Sequence, residues 1–245
     1  MNYDKYRLSA REYIICFGKF MLISISFSYL FYDSFAMIFI ASPLCILYLR
    51  RERNNKLIHR KEQLKKEFLK AILSVSASLS AGLSVDNAFR EAAGDMQRLF
   101  GKRECIVIEL NTICRKIGCG IRIEDALSDF AARSGIDTIK DFALIFASAI
   151  ESGGNLRQVI AKCVDILENE QKIKDEIKVL LSQKQLEQRI MSIIPLGIIF
   201  YLRLSSGSFL NILYHNTFGY LVMTGCLAVY LASIILSERI CRISV

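Results

Sequence analysis

Few residues in this chain are of a type and spacing that could do chemistry, and each leads away from catalysis. Two histidines, His59 and His215, are too few to build a zinc site, and none of the eight cysteines forms a Cys-x-x-Cys pair. Cys16, Cys45 and Cys226 fall inside apolar segments and read as reduced thiols behaving as small apolar residues. That leaves Cys114 and Cys119 as candidates for a working thiol. No Gly-x-x-x-x-Gly-Lys-Ser/Thr loop is present to hold phosphates, nor His-Glu-x-x-His, nor a Gly-x-Ser-x-Gly elbow. The stretch "GCGIRIEDAL" has a Gly-x-Gly but lacks the third glycine and the preceding strand of a dinucleotide site. Glu151, close to Gly153 and Gly154, offers a carboxylate for a cation or a partner's arginine, although a solvated helix end is the simpler reading. The chain is expected to hold no catalytic residue, cofactor or metal, and to act by contact.

A repeat marks where such contact is expected. Gly82-Leu83-Ser84-Val85-Asp86-Asn87-Ala88-Phe89 returns 38 residues later as Gly120-Ile121-Arg122-Ile123-Glu124-Asp125-Ala126-Leu127, and a looser copy, "AIESGGNLRQVIAKC", begins at Ala149. Glycine ends one helix in the left-handed conformation, and the polar residues after it start the next. Ser84 is suited to cap a helix, Asn155 with Gln158 approximates a capping box, and Glu124 with Asp125 suits a positive helix start after Arg122, a poor cap. With antiparallel neighbours, the turns at Gly82, Gly120 and Gly153/Gly154 share one end of a bundle. Gly82, Ser84, Gly120, Glu151, Gly153, Gly154 and Asn155 are therefore the candidate partner contacts, with plain glycine capping as the compatible bland alternative.

Those turns need helices to join them. From residue 56 to 188 the apolar period is about 3.6, and no run alternates as a strand would. Stripes at Leu64, Phe68, Ala71/Ile72, Val75 and Leu79, then Val85, Ala88/Phe89 and Ala92, then Val107, Leu110, Cys114 and Ile117 predict three helices. Ile123, Ala126/Leu127 and Phe130, then Ile139, Phe142/Ala143, Phe146 and Ala149/Ile150 predict two more. A long sixth carries Val159, Cys163, Ile166, Ile173, Ile177 and Leu180 at near-heptad spacing and is expected to run on into the apolar segment beyond.

The ends of the chain are different in kind. Formal net charge is +8, and residues 50–70 hold nine Lys/Arg against three Glu, directly after an apolar segment. With no aromatic or glycine-rich binding surface beside it, that run marks a membrane flank and not a nucleic-acid site. A crossing helix needs about 20 mostly apolar residues. Residues 13–32, 35–49, 190–202 and 217–236 answer to four crossings, with Asp33-Ser34 turning the first pair. The fold class expected is therefore all-α: an integral membrane protein with four transmembrane helices and a central six-helix cytoplasmic bundle. Its divisions are residues 1–12, a cytoplasmic N-terminus; 13–49, a membrane hairpin; 50–189, the cytoplasmic helical domain; 190–236, a second membrane pair; and 237–245, a cytoplasmic tail. Pro43 and Pro195, the only prolines, lie in the crossings next to the domain and are candidate hinges.

Taken in order, "LSAGLSVDNAFREAA", "GIRIEDALSDFAARSGIDTIKDFALIFASAIESGGNLRQVIAK", "ENEQKIKDEIKVLLSQKQLEQRI", "IIPLGIIFYL" and the final apolar-basic stretch give the chain a likeness. It resembles the type II secretion system F-domain family, and within it the TadB and TadC inner-membrane proteins of tight-adherence (Flp) pilus assembly. The resemblance implies a non-enzymatic platform in the cytoplasmic membrane, with both termini and the central domain cytoplasmic. Its implied partners are a cytosolic secretion ATPase, a second platform protein of the same family, pilin subunits and the lipid bilayer, with homo- or hetero-oligomers and no nucleic acid. The rival reading is a membrane-anchored helical signalling protein that relays to a cytosolic partner. Its weakness is that the outer loops are too small to sense much.

Overall fold

A computed structural model of the chain describes residues 10–32, 37–152, 155–205 and 217–241. These form eight helices, with no strand among the described residues. They are α1 (Ala10–Tyr32), α2 (Met37–Ser80), α3 (Val85–Phe100), α4 (Cys105–Gly118), α5 (Ile123–Ser134), α6 (Asp137–Glu151), α7 (Leu156–Ser205) and α8 (Thr217–Cys241). The chain divides into two compact units. One is Glu52–Lys172, and the other combines Leu8–Arg51 with Ile173–Val245.

The first unit is built by amphipathic periodicity. Leu64, Phe68, Ala71, Ile72, Val75 and Leu79 of α2 are all buried, as their spacing predicts. Ala88, Phe89, Ala92 and Met96 of α3 join them, with Ile106, Val107, Leu110 and Ile113 of α4. Ile123, Leu127 and Phe130 of α5 and Ile139, Phe142 and Phe146 of α6 complete the core. Phe68 sits at its centre, its ring 6.1 Å from Phe130 and 5.4 Å from Phe142, the latter edge-on. In sequence order α3 packs on α4, α4 on α5 and α5 on α6. Glu67, Glu109 and Ser134 are the polar side chains taken deepest inside, and no buried side-chain polar atom among the described residues lacks a partner.

The sixth helix of the bundle departs from expectation. α7 turns Ile160 and Val164 into the core, with Leu156 and Cys163 half-buried beside them. Ile166 of the expected stripe is 59% exposed. The heptad reading holds at Cys163 and fails at Ile166, because Val159, Ile160, Cys163, Val164, Ile166 and Leu167 put apolar groups almost all round this part of the helix.

In the second unit α1 packs on α8. The Tyr230 hydroxyl of α8 donates to the Ser192 carbonyl of α7 at 2.6 Å, three residues before Pro195. α7 runs unbroken through Pro195, as the sequence reading expected of the sixth helix and the segment beyond it. Pro43 lies within α2, but its side-chain surroundings fall outside the described residues. Among the described residues no helix is long and apolar enough to cross a membrane. Residues 33–36, where Asp33-Ser34 is expected to turn the first pair, and residues 206–216 also lie outside them.

Candidate docking surface at the turn end of the first unit

The two best copies of the repeat form the same structure. Gly82 has φ +92° and Gly120 φ +80°, conformations that cost a side-chain-bearing residue and not glycine. The Gly82 amide donates to the Leu79 carbonyl at 3.0 Å and the Leu83 amide to Ser78 at 3.1 Å. Gly120 donates to Ile117 at 2.9 Å and Ile121 to Lys116 at 3.1 Å. Both turns are therefore Schellman motifs, closing the last carbonyls of α2 and α4 in one pattern.

The helix starts that follow differ. Ser84 and Arg122 both stand at N-cap positions with extended backbone, yet neither side chain makes a capping hydrogen bond. The expected Ser84 cap is thus a matter of backbone alone. At α5 the work passes to Glu124, whose carboxylate is held below its usual range by the backbone amide of its own residue and then by Arg122. Arg122 lays its guanidinium on that carboxylate, with Nε donating at 2.6 Å. Asn155 does cap α7: its Oδ1 accepts from the Gln158 amide at 3.4 Å.

The Gly82 and Gly120 turns share an end of the unit with the close of α6 and the start of α7. At the opposite end, Arg60 Nη2 donates to Cys105 Sγ at 3.4 Å, Lys61 Nζ to the Gly135 carbonyl at 3.3 Å, and Lys65 Nζ to Glu170 Oε1 at 3.1 Å. From those lysines to Leu79 is roughly 20–28 Å of helix at 1.5 Å per residue. Arg122 is raised above its usual range by Glu124 first, with Asp125 and Glu151 adding to it.

Of the predicted contacts, Gly82, Ser84, Gly120, Glu151 and Asn155 are all exposed at this end, while Gly153 and Gly154 fall outside the described residues. Among the described residues no three His, Cys, Asp or Glu gather as a metal site. Burial raises the Cys114 thiol above its ordinary range, its Sγ lies 3.6 Å from the Phe89 carbonyl, and Cys119 is exposed. Sequence reasoning passed over Leu83 and Ile121. Each directly follows its glycine, and each is 43% exposed. The repeat itself was the available signal, because it writes a large aliphatic at a position that the turn holds at the surface.

Residues 71–202, more than half of the chain, match the family described as type II secretion system (T2SS), protein F. The chain belongs to that family. Its members are inner-membrane platform proteins, not known enzymes, and they work inside secretion and pilus assembly complexes. No curated protein and no solved structure matches the chain.

Proposed function

We propose that this chain is the inner-membrane platform of a tight-adherence (Flp-type) pilus or related secretion machine, TadB-like or TadC-like. In this reading its first unit docks a cytosolic secretion ATPase and couples it to pilin subunits drawn from the bilayer. The observation that carries it is the family match spanning the helices from α2 to α7, together with the matched turns that present Leu83 and Ile121 at one end. A second platform protein of the family and pilin are the partners expected along the second unit.

Membrane insertion is part of the proposal. It is supported by the family, and by aliphatic side chains standing exposed along α1 (Ile14, Ile15, Leu22), α7 (Ile190, Ile193, Ile198) and α8 (Leu221, Val229, Ile235). Apolar surface on that scale calls for a partner or lipid. The arrangement proposed is four crossings within residues 13–49 and 190–236, residues 50–189 and both termini cytoplasmic, and Pro43 and Pro195 as hinges between the domain and the bilayer.

The test is site-specific photo-crosslinking of the full-length protein in its own membranes, with the crosslinker at Leu83, Ile121 or Asn155 and products read by mass spectrometry. The expected product is a secretion ATPase. A kinase or receptor recovered without any ATPase would overturn the reading. Charge substitutions at Ser84 or Asn155 should weaken ATPase binding while helicity stays intact. Unchanged binding with a lower melting temperature would reduce the turns to structural caps.

A further inference from the structure

At the end of the first unit away from the turns, the α3–α4 corner lies against α2, and the two elements gather positive charge there. Lys70 of α2 sets its Nζ 5.1 Å from the ring centroid of Phe100, the last residue of α3. Arg60 of α2 donates from Nη2 to the Sγ of Cys105, the first residue of α4, at 3.4 Å. Both sides of the corner are thus tied to one helix. Between them Gly101 turns the chain at φ +86°, and Lys102 and Arg103 stand exposed. Arg53, Lys56 and Arg60 are three and four residues apart, so they form one stripe of α2 that leads to the corner.

The corner also holds out an aliphatic group. Leu99 is 66% exposed in the last turn of α3, between Arg98 and Lys102 in sequence. Met96 and Phe100 already supply that turn's packing against the core, so Leu99 is surplus to folding. The cations Arg53, Lys56, Arg60, Lys70, Lys102 and Arg103 outnumber the nearby carboxylates of Glu52, Glu67 and Glu104, and Glu67 is buried. A leucine standing among lysines and arginines suits a surface that is anionic at its face and apolar beneath. A phospholipid headgroup layer is such a surface, whereas a purely acidic partner would leave the leucine in water.

We propose that the α3–α4 corner and the α2 stripe bind anionic phospholipid headgroups at the membrane surface, with Leu99 entering the interface. The inference rests on the membrane insertion proposed above. α2 runs unbroken from Met37 to Ser80, so in that reading the stripe begins where the helix leaves its apolar part. Contact at this end leaves the Gly82 and Gly120 turns facing away from the bilayer.

Hydrogen exchange of the full-length protein in nanodiscs tests this, with discs of phosphatidylcholine alone compared with discs that also contain phosphatidylglycerol. Amides of residues 98–104 should exchange about tenfold more slowly in the anionic discs, with those around Gly82 unchanged. Lys102→Glu with Arg103→Glu should abolish the difference while helicity stays intact; if helicity is lost, Lys102→Gln with Arg103→Gln replaces it. High salt, which shortens the Debye length to about 3 Å at 1 M, should also remove most of it. Equal exchange at the corner in the two kinds of disc, from protein that has inserted in both, would overturn the lipid surface and leave the insertion reading standing. A chain that enters neither disc would overturn both. Protection that appears only when the secretion ATPase is added, whatever the lipid, would assign the patch to a protein and overturn the proposal.

Discussion

Arg133 of α5 grips both oxygens of the Glu109 carboxylate of α4, Nη1 to Oε1 at 2.9 Å and Nη2 to Oε2 at 2.7 Å. Its Nε donates to Asp129 Oδ2 at 3.0 Å, and Lys116 Nζ reaches the same oxygen at 2.6 Å. The Glu109 side chain is only 2% exposed. A carboxylate so placed is tolerable only while its fork of donors is present.

Arg133→Ala should therefore destabilise the first unit by about 3 kcal/mol or more, because it leaves a buried carboxylate unpaired. Replacing the pair together, Glu109→Leu with Arg133→Leu, should cost much less than Arg133→Ala alone. Thermal unfolding of the full chain, followed by helix circular dichroism, measures both. Equal losses for the single and double variants would show that the pair matters for packing and not for charge.

Gly-to-Ala substitutions should change sign with position. At Gly82 and Gly120 a Cβ meets nothing within 4 Å, so the penalty is conformational alone, about 1–2 kcal/mol each for a left-handed residue. The two lie in separate turns and should add. Gly94, inside α3 with equal room, should gain about 0.5–1 kcal/mol as alanine. The same melting measurement decides, and a loss at Gly94 would contradict the argument.

Two carboxyls should give the unit opposite pH responses. Lys116 first, and Arg133 with it, hold Asp129 below the usual aspartate range, so its contribution is full above its unfolded value of 3.8 and is lost as pH falls through the lower folded value. Glu67 is raised above 4.5, mainly because it is buried, and is opposed by a hydrogen bond from Gln63 Nε2 at 2.9 Å. Its contribution is full below 4.5 and is lost as pH rises through the raised folded value. Asp129→Asn should thus lower the melting temperature at neutral pH, with the deficit vanishing in acid. Glu67→Gln should be at least as stable as the wild type at neutral pH, with that margin closing in acid. Stability profiles of the three proteins from pH 3 to 8 check both signs.

Phe68→Ala should cost about 3–5 kcal/mol, the range for deleting a buried aromatic. Phe68 is 1% exposed and meets rings from both α5 and α6. Lys70, two residues on, lies with its Nζ 5.1 Å from the Phe100 ring centroid, and its loss should cost no more than about 1 kcal/mol. A comparable effect at both sites would mean that the core is not organised around Phe68.

How far the sequence reached can be judged from particular residues. The α2 stripe from Leu64 to Leu79 and the glycine stops at 82 and 120 were legible because each is a local rule. One is a helical period and the other a backbone conformation, and neither needs knowledge of a neighbour. For the candidate site, the repeat located the turns. It did not show that Ser84 would make no side-chain cap, or that Leu83 and Ile121 would be held outward.

What the tertiary structure alone decided involves choices between physically equivalent options. α7 has apolar groups on nearly every side, so its period cannot say whether Ile160 or Ile166 faces inward, and the position of the other helices makes that choice. Glu109 sits on a stripe that reads as apolar, and only the fold brings Arg133, 24 residues away, onto it. Local rules determine where the helices of this protein stop and which face each prefers. The pairing of charges and the surplus apolar surface depend on distances between segments remote in sequence, and those exist only once the bundle has closed.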